Sequence, residues 1–266
     1  FGCLGERVGY YGNSLGDHFG VGHIFLAGEA PGLFYGYVTQ GIVQKEDITE
    51  NGIKYIKQDG SVGYYQTVNK TTPVAGDVKY VDRNGDGVVD DNDRDIIGNP
   101  NPDFTYGFQT KVSWKSLSLS ASFNGVQGRD ILNVGNRYNN TPGTKSNNVT
   151  RKAFQNMWTD ENPSNLYPKS TFVVQNMVMD RYVEDGSYLR CSDITLSYVL
   201  PAKWTNKIGI KNTSVYASVK NAFVITDYSG YDPEVNSFAF DGLRPGVDMN
   251  SYPTPRSFVF GLNLTF

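Results

Sequence analysis

The chain has 266 residues, of which 39% are apolar, 14% are aromatic and 19% are charged, and its formal net charge is −3. So many aromatic residues with so little net charge exclude a disordered chain, and the lack of a basic excess excludes a nucleic-acid partner held by bulk electrostatics. The mean hydropathy of −0.41 and the short apolar runs exclude membrane-spanning helices. They do not exclude membrane-spanning strands, in which apolar and polar residues alternate.

Cysteine and histidine are scarce in this chain. Cys3 and Cys191 are the only cysteines; they could pair in an oxidising compartment, but two distant thiols make no disulfide framework. Because His18 and His23 are the only histidines, we expect neither a histidine-based metal site nor a catalytic triad. The first residues lack an initiating Met and a basic stretch, so we expect the chain to be a piece of a longer protein.

The first hundred residues carry mixed signals. Residues 1–30 are Gly-rich and irregular, whereas residues 33–43 are rich in residues that favour strands. Residues 51–67 have the turn signals of a hairpin region. An acidic loop follows at residues 82–95, and we expect the Pro/Asn cluster at residues 98–103 to be irregular.

Regular alternation of apolar and polar residues begins at residue 104. In residues 104–114 most apolar side chains share one parity, and the pattern resumes in residues 117–124 after the short turn Lys115-Ser116. A period of two over eleven residues is long for a soluble strand, whose usual length is about five or six residues. Two amphipathic strands joined by a tight turn predict a hairpin.

Three more strands are predicted nearer the C-terminus. A long polar stretch, residues 125–185, contains one segment that can form a short helix, residues 150–158. Strand patterns then occupy residues 187–200, 213–222 and 257–266. In the last of these, every second residue is Phe or Leu.

Two kinds of fold can use such strands. In a soluble β-sandwich the apolar face points to a core, whereas in an outer-membrane β-barrel it points to lipid and the polar face lines a wet lumen. Strands of about ten residues with small polar inner faces favour the barrel. So does the alternation of short connections, at 115–116 and 201–212, with long ones, at 125–185 and 223–256.

We therefore predict an all-β chain that supplies the C-terminal strands of a large antiparallel transmembrane β-barrel with long extracellular loops. If the 115–116 turn is periplasmic, the alternation of strand directions places the C-terminus in the periplasm and the acidic loop outside the cell. We divide the chain into an extracellular loop region with strands and the acidic loop, residues 1–103, and the transmembrane strands with their extracellular loops, residues 104–266.

Aromatic residues near strand ends fit interfacial girdles, although each can equally be an ordinary sheet residue: Trp114, Tyr198 and Trp204.

One motif carries metal chemistry. Residues 82–93 match the twelve-position calcium loop, in which alternate residues supply oxygen ligands and a Gly allows the sharp turn. The predicted ligands, in loop order, are Asp82, Asn84, Asp86, Val88 through its carbonyl, Asp90 and Asp93. Asp93 stands where a bidentate Glu is usual, and this shorter arm can weaken the site. We expect a structural Ca²⁺ that pins an extracellular loop; the alternative is an Asp/Asn/Gly turn that binds nothing.

Further distinctive motifs follow one another along the chain, among them Asn99-Pro100-Asn101-Pro102-Asp103 and Gly230-Tyr231-Asp232-Pro233-Glu234. The full set occupies residues 34–37, 76–87, 97–108, 158–163, 186–201, 220–223, 230–234 and 255–266. In combination and in this order, they resemble the C-terminal third of the SusC/RagA-type TonB-linked outer-membrane proteins of Bacteroidota. The resemblance covers about residues 28–266, and the terminal Phe266 resembles a barrel-assembly signal.

The resemblance implies nutrient import across the outer membrane. Members of the family are 22-stranded barrels with an N-terminal plug and a TonB-contacting segment, and they work with a SusD-like surface lipoprotein. It therefore implies glycan or peptide substrates, TonB contact through a part that this chain lacks, outer-membrane lipid around the strands, and no enzymatic activity. The chain would supply five or six of the strands.

Two other functions compete with the transporter. A secreted, calcium-stabilised carbohydrate-binding module would fold alone in water, and a glycan-degrading enzyme would need a carboxylate pair in a cleft. The neighbours Asp160 and Glu161 are interpreted as surface charges. Aromatic residues of the loops could stack on sugar rings, but we expect them to pack the loops together instead: Tyr138, Trp158, Tyr167 and Phe238.

Overall fold

A computed structural model describes residues 7–11, 22–141, 148–170, 177–205 and 212–265. Its regular structure is almost entirely β-strand, with a few short helices. Within these residues, none of the helices is both long enough and apolar enough to cross a membrane. The chain divides into two compact units, each assembled from three stretches of sequence.

The first unit contains residues 1–101, 130–184 and 235–251. Its strands are short and form several small sheets. They are β1 (Arg7–Tyr11), β2 (His23–Leu26), β3 (Leu33–Tyr37), β4 (Thr39–Ile42), β5 (Ile48–Thr49), β6 (Gly52–Ile56), β7 (Val62–Tyr65), β8 (Thr67–Val68), β9 (Val78–Tyr80), β10 (Val88–Val89), β11 (Arg94–Gly98), β14 (Asp130–Asn133), β15 (Val183–Asp185, whose last residue falls in the second unit) and β18 (Val247–Asp248). Its helices are α1 (Val134–Asn140) and α2 (Arg151–Asn156).

The core of the first unit combines large aromatic residues with aliphatic ones. Tyr55 and Tyr65 face inward from the hairpin of β6 and β7, and they pack with Tyr80, Phe34 and Val89, all at most 1% exposed. The hairpin alternates buried and exposed residues along both strands, which is the pattern of strands with one face on a core. The predicted hairpin at residues 51–67 is therefore present.

The second unit contains residues 102–129, 185–234 and 252–266. Five long strands form one antiparallel sheet in the order β12-β13-β16-β17-β19. These strands are β12 (Phe104–Trp114), β13 (Leu117–Gln127), β16 (Tyr188–Val199), β17 (Asn212–Thr226) and β19 (Ser257–Thr265), and a four-residue helix α3 (Ala202–Thr205) lies between β16 and β17.

The sheet keeps one register over most of its width. β12 and β13 pair without a shift from Trp114↔Leu117 to Phe104↔Gln127. The register shifts near residues 191–193 of β16, against both of its neighbours. Most apolar residues meet apolar residues across the strands, and most polar residues meet polar ones on the opposite face; Phe104 opposite Gln127 and Ser218 opposite Val259 are exceptions.

The prediction of an all-β chain with long antiparallel strands is confirmed. All five predicted strands of residues 104–266 are present, and β13 and β17 are longer than predicted. The predicted helix at residues 150–158 is present as α2. Most of the stretch predicted as a polar loop, residues 125–185, belongs to the first unit, where β14 pairs in parallel with β18.

Candidate functional site

The acidic loop is closed on itself by its own carboxylates. Both oxygens of Asp82 accept backbone hydrogen bonds, from the N–H of Gly85 at 2.6 Å and of Gly87 at 2.8 Å. One oxygen of Asp93 accepts from the N–H of Arg83 at 2.8 Å, and its other oxygen accepts from the N–H of Asp90 at 2.8 Å. The first and last predicted ligands therefore hold the two ends of the loop together.

These two carboxylates are buried. Asp82 is 2% exposed and Asp93 is 0% exposed. Burial raises the pKa of the Asp82 carboxyl above its usual value, although the N–H groups of Gly87 and Gly85 lower it; the negative charges of Asp93 and Asp86 raise it further. The loop thus concentrates negative charge at a place that water reaches poorly, and a bound cation would relieve that repulsion.

The middle of the loop is more exposed and is shaped by local side-chain turns. The amide oxygen of Asn84 accepts from the N–H of Asp86 at 2.9 Å, and a carboxylate oxygen of Asp86 accepts from the N–H of Val88 at 2.8 Å. Asp90 caps the short helical turn that follows by accepting from the N–H of Asn92. Gly85 and Gly87 have φ angles of 76° and 87°, in the left-handed region that glycine adopts without strain.

The rest of the first unit fixes the position of the loop. The N–H of Gln66 donates to the carbonyl of Gly87 at 2.7 Å, and the N–H of Asn69 donates to the carbonyl of Val89 at 3.0 Å. Arg83 forms an ion pair of 2.7 Å with Asp95. The loop is therefore fastened at both flanks to strands of the same unit.

The predicted ligand set is all oxygen, which is the donor chemistry that Ca²⁺ prefers. Asp82 and Asp93 are brought together with the backbone of the loop between them. Over the residues that the structure describes, however, no three His, Cys, Asp or Glu side chains form a group that could hold a metal ion. The donor chemistry therefore fits calcium, and the calcium site itself stays a prediction.

The second unit presents a broad apolar face. Apolar residues of all five strands share this face through the register, and many are more than one-third exposed. Trp114 is 69% exposed and Phe260 is 79% exposed. The exposed members of the apolar face include Phe104, Phe108, Val112, Trp114, Leu119, Leu196, Tyr198, Val215, Phe258, Phe260, Leu262 and Leu264. In water such a surface would be far larger than the apolar patches of ordinary monomers.

The opposite, polar face carries hydrogen-bonded side chains. Asp193 accepts from the hydroxyl of Thr195 at 2.7 Å and from the hydroxyl of Ser218 at 2.8 Å, and these two hydroxyls lie 2.8 Å apart. Across β12 and β13, the hydroxyls of Ser113 and Ser118 are 2.9 Å apart. Small polar groups that bond to one another therefore occupy parts of this face, which suits a wet interior.

A buried ionic cluster at Arg190 fastens the loop that follows β17. Arg190 is 5% exposed, and its guanidinium pairs with Asp232, which is 8% exposed, and with Glu234 at 3.3 Å. Glu234 also accepts from the hydroxyl of Tyr188 at 2.7 Å and from the amide of Asn124 at 2.9 Å. Tyr188, Arg190, Asp232 and Glu234 of this Arg190 cluster lie in two of the family motifs, at 186–201 and 230–234, but only the fold shows that they meet.

The remaining residues singled out from the sequence have other environments. Trp158 is buried and donates from Nε1 to Gln44 at 3.0 Å, and the guanidinium of Arg244 lies 4.0 Å from the ring centre of Phe238. These contacts favour the packing role expected for the loop aromatics. Tyr167 is partly buried, and the side chain of Tyr138 lies outside the part of the chain that can be described.

Among the residues that the structure describes, the titratable side chains considered for catalysis have separate environments. His23 is buried and bonds through Nε2 to the carbonyl of Pro245 at 3.0 Å, and burial lowers its pKa to about 4. Asp160 forms a surface ion pair with Lys45. Cys191 is buried with a free thiol, whereas Cys3 and His18 lie outside the described residues.

Curated relatives of this chain are receptors. No protein-family profile matches it. Two TonB-dependent receptors of Formosa agariphila are 35% and 33% identical, over 73% and 91% of this chain and over 20% and 23% of their own lengths. The TonB-dependent receptor SusC of Bacteroides thetaiotaomicron is 34% identical over 70% of this chain and 17% of its own length. The chain thus spans about a fifth of the curated relatives it matches.

Two solved structures of similar fold are chains of the RagAB peptide importer. A chain of the RagAB peptide importer in its open-open state is 26% identical with a TM-score of 0.62, and the match covers 92% of this chain and 23% of that chain. In the closed-closed state the identity is 23% and the TM-score is 0.65, over 100% of this chain and 25% of that chain. The second likeness concerns the fold alone.

Proposed function

Since the chain belongs to the SusC-type TonB-dependent receptors, we propose that it is the C-terminal part of an outer-membrane transporter that imports glycans or peptides. The observation that carries this proposal is the two-faced sheet of the second unit. Its strands have 9 to 15 residues, and a tilted transmembrane strand needs about 9–11. The apolar face would meet lipid and the polar face would line the lumen.

The sheet also needs more strands to be stable in a membrane. Within the described residues its outer strands, β12 and β19, each pair on one side only. Backbone groups left open at a sheet edge are not tolerated in lipid, so a spanning sheet has to close. The remaining strands would come from the rest of the full-length receptor, since its relatives are four to five times longer than the part matched here.

The orientation follows from the lengths of the connections. Barrels of this kind keep short turns on the periplasmic side and long loops outside. The two-residue turn between β12 and β13 would therefore be periplasmic, as would the C-terminus. The Arg190 cluster and the acidic loop would lie on the extracellular side, where the Arg190 cluster fixes a long loop to the barrel wall.

We propose partners on both sides of the membrane. A SusD-like surface lipoprotein would cooperate with the extracellular loops, and TonB would act through a part of the receptor outside this chain. The importer that shares this fold is named for peptides, whereas SusC relatives support the receptor class without a substrate in their names. Glycans and peptides therefore both stay within the proposal.

Calcium would have a structural role in this transporter. Asp82, Asp86, Asp90 and Asp93, with the amide of Asn84 and the carbonyl of Val88, would hold the ion. Its charge would offset the buried carboxylates of Asp82 and Asp93 and keep the acidic loop in one conformation. Support comes from the spacing, the all-oxygen donor set and the burial of these two acids.

The location can be tested on the full-length receptor in its native cells. We expect it in the outer-membrane fraction, with a folded band that shifts on a denaturing gel only after boiling. Loss of the gene should abolish growth on one class of glycan or peptide, and inactivation of TonB should have the same effect. A receptor that is water-soluble and shows no shift would overturn the transporter and favour the secreted carbohydrate-binding module.

A further inference from the structure

Two pairs of sequence-adjacent Trp and Lys residues, called the Trp–Lys pairs, lie at the turn end of the five-stranded sheet, defined here as the turn between β12 and β13 with the helix α3. Lys115 places its ammonium 5.0 Å from the ring centre of Trp114, and both side chains are exposed. Lys203 and Trp204 are adjacent residues of α3 and make the second pair by sequence; both are exposed, Trp204 to 65%. The N–H of Val199 donates to the carbonyl of Ser116 at 2.8 Å, so the two segments are neighbours.

The turn end also marks the limit of the apolar face. The register places Trp114 opposite Leu117, and Leu117 opposite Tyr198 on the next strand. Tyr198 in turn faces Val215, which faces Leu262. One row of large apolar and aromatic residues thus crosses the whole sheet immediately beside the Trp–Lys pairs. Trp and Lys side chains beside an apolar band are the residues that anchor proteins at the headgroup level of a membrane.

The strands that meet at this end carry basic residues but few acidic ones. Residues 104–129, 194–226 and 249–266 contain no Asp or Glu, yet the first two ranges together hold six Lys and one Arg. These ranges comprise nearly all of β12, β13, β17 and β19 and the latter half of β16. A headgroup that meets the turn end would therefore find lysines without competing Asp or Glu side chains from these strands.

We propose that the turn end binds the headgroup of an anionic glycerophospholipid, phosphatidylglycerol being the simplest case. Lys115 and Lys203 supply positive charge to the phosphate, while Trp114 and Trp204 lie against the glycerol and upper acyl region. This inference rests on the proposed membrane location and adds to it a preference for one lipid charge class. Each lysine near an anionic surface favours binding by about fivefold at low ionic strength.

The test uses the full-length receptor, delipidated and then offered phosphatidylglycerol or zwitterionic phosphatidylcholine, with bound lipid counted by native mass spectrometry. We expect wild-type receptor to retain phosphatidylglycerol in preference, and the double variant Lys115→Gln/Lys203→Gln to lose that preference. The double variant Lys54→Gln/Lys57→Gln is the matched control, because it removes the same charge from exposed positions of the first unit. It should behave as wild type.

The tryptophans supply a second readout. Trp114→Ala/Trp204→Ala should lower retention of both lipids while leaving their ratio unchanged, since the rings contact parts that the two lipids share. Equal retention of the two lipids by wild type, or an unchanged ratio in the lysine variant, would overturn the inference. If the receptor shifts on the gel and lies in the outer membrane but shows no lipid preference, this inference alone is wrong. Receptor absent from the outer membrane defeats the proposed function as well.

Discussion

The hydroxyl of Tyr55 donates a buried hydrogen bond of 2.6 Å to the backbone carbonyl of Asp82. Tyr55 is 1% exposed and sits in β6. Burial, together with the nearby negative charges of Asp82 and Asp93, raises the pKa of its phenol to about 12. The hydroxyl therefore stays protonated and able to donate over the physiological range, and it couples the hairpin of β6 and β7 to the first residue of the acidic loop.

Replacing Tyr55 by Phe should loosen the acidic loop. The ring can stay in the core, but the carbonyl of Asp82 loses its buried donor, which costs about 1–3 kcal/mol. We expect faster amide exchange in residues 82–93, measured by hydrogen–deuterium exchange on the full-length receptor. Tyr64→Phe is the matched control, because Tyr64 lies in β7 of the same hairpin and its side chain is 39% exposed. Equal exchange in the two variants would contradict the coupling.

The long strands could be predicted because their signal is local. Alternation with a period of two depends only on which side of the sheet each residue faces, so it appears in β12 and β13 without knowledge of their neighbours. The ends of strands give a weaker signal in the sequence. β13 continues past its predicted end at Asn124 to Gln127, and Gly125 interrupts the alternation of apolar and polar residues within this extension. That glycine lies under the ring of Tyr106, where an added Cβ would meet the ring at 2.3 Å.

The small sheets of the first unit could not be predicted because their partners are far apart in sequence. β3 pairs with β11 across more than fifty residues, and β14 pairs with β18 across more than a hundred. The acidic loop shows the same limit. Its ligand spacing is visible in the sequence, but the buried bond from Tyr55 and the ion pair of Arg83 with Asp95 depend on the fold.

Removing the guanidinium of the Arg190 cluster should destabilise the second unit. In Arg190→Gln, the buried carboxylate of Asp232 keeps its charge without its cation, and such a loss costs about 3–5 kcal/mol. We expect the receptor to lose its folded gel band at lower temperature. Arg151→Gln serves as the control, since Arg151 is an exposed residue at the start of α2. A variant as heat-resistant as the control would show that the cluster contributes little.

The same cluster should make the receptor sensitive to acid. Burial by itself would raise the pKa of Asp232, but the N–H of Glu234, the contacts of Thr254 and the charge of Arg190 together lower it below its usual value. A depressed folded-state pKa stabilises the protein above the unfolded value of about 3.9 and stops doing so as the pH falls through the lower folded value. Thermal unfolding followed from pH 7 down to pH 3 should therefore show a loss of stability at the acid end.

Asp232→Asn identifies the source of that acid sensitivity. Near neutral pH the variant should unfold at a lower temperature than wild type. As the pH falls below about 4, its unfolding temperature should drop by less than that of wild type. Asp160→Asn, a change at an exposed surface ion pair, should keep the wild-type profile. If wild type and Asp232→Asn respond to acid in parallel, the effect belongs to other carboxylates.

A glycine on the polar face makes room for an aromatic ring. Gly261 of β19 lies opposite Tyr216 of β17, and a Cβ added at Gly261 would come within 2.2 Å of the ring. Gly261→Val should therefore force the ring aside at a cost of about 1–3 kcal/mol and reduce the folded fraction on the gel. Gly107→Val is the matched control, since the nearest atom there is a carbonyl oxygen at 3.4 Å.

The double variant tests whether the ring is the cause. Gly261→Val/Tyr216→Ala should recover part of the loss, because the valine then occupies space that the ring has left. A double variant that is no better than Gly261→Val would instead locate the cost in the backbone of β19.

Calcium binding can be tested without disturbing the fold of the acidic loop. Asp86 is exposed, and its carboxylate accepts from the N–H of Val88, a bond that an Asn side chain can also accept. Asp86→Asn therefore removes one ligand charge and keeps the bond from Val88, while the exposed bond from the side-chain amide of Asn84 is lost. We expect calorimetric titration of the full-length receptor with Ca²⁺ to show binding that is weaker in this variant. Calcium at 100 times its dissociation constant should stabilise the wild type by about 2.7 kcal/mol, seen as a rise in unfolding temperature.

The control for calcium is an aspartate of the same unit outside the predicted ligand set. Asp59 lies in the exposed turn between β6 and β7, where it accepts from Ser61, and Asp59→Asn should titrate as wild type does. Mg²⁺ should compete poorly, because it demands a smaller, octahedral shell and gives up its water reluctantly. Equal calcium affinity in Asp86→Asn and Asp59→Asn would remove Asp86 from the ligand set. If the wild type does not bind calcium, residues 82–93 are a turn held by its own hydrogen bonds. The buried carboxylates of Asp82 and Asp93 then act only as acceptors for backbone N–H groups of the loop.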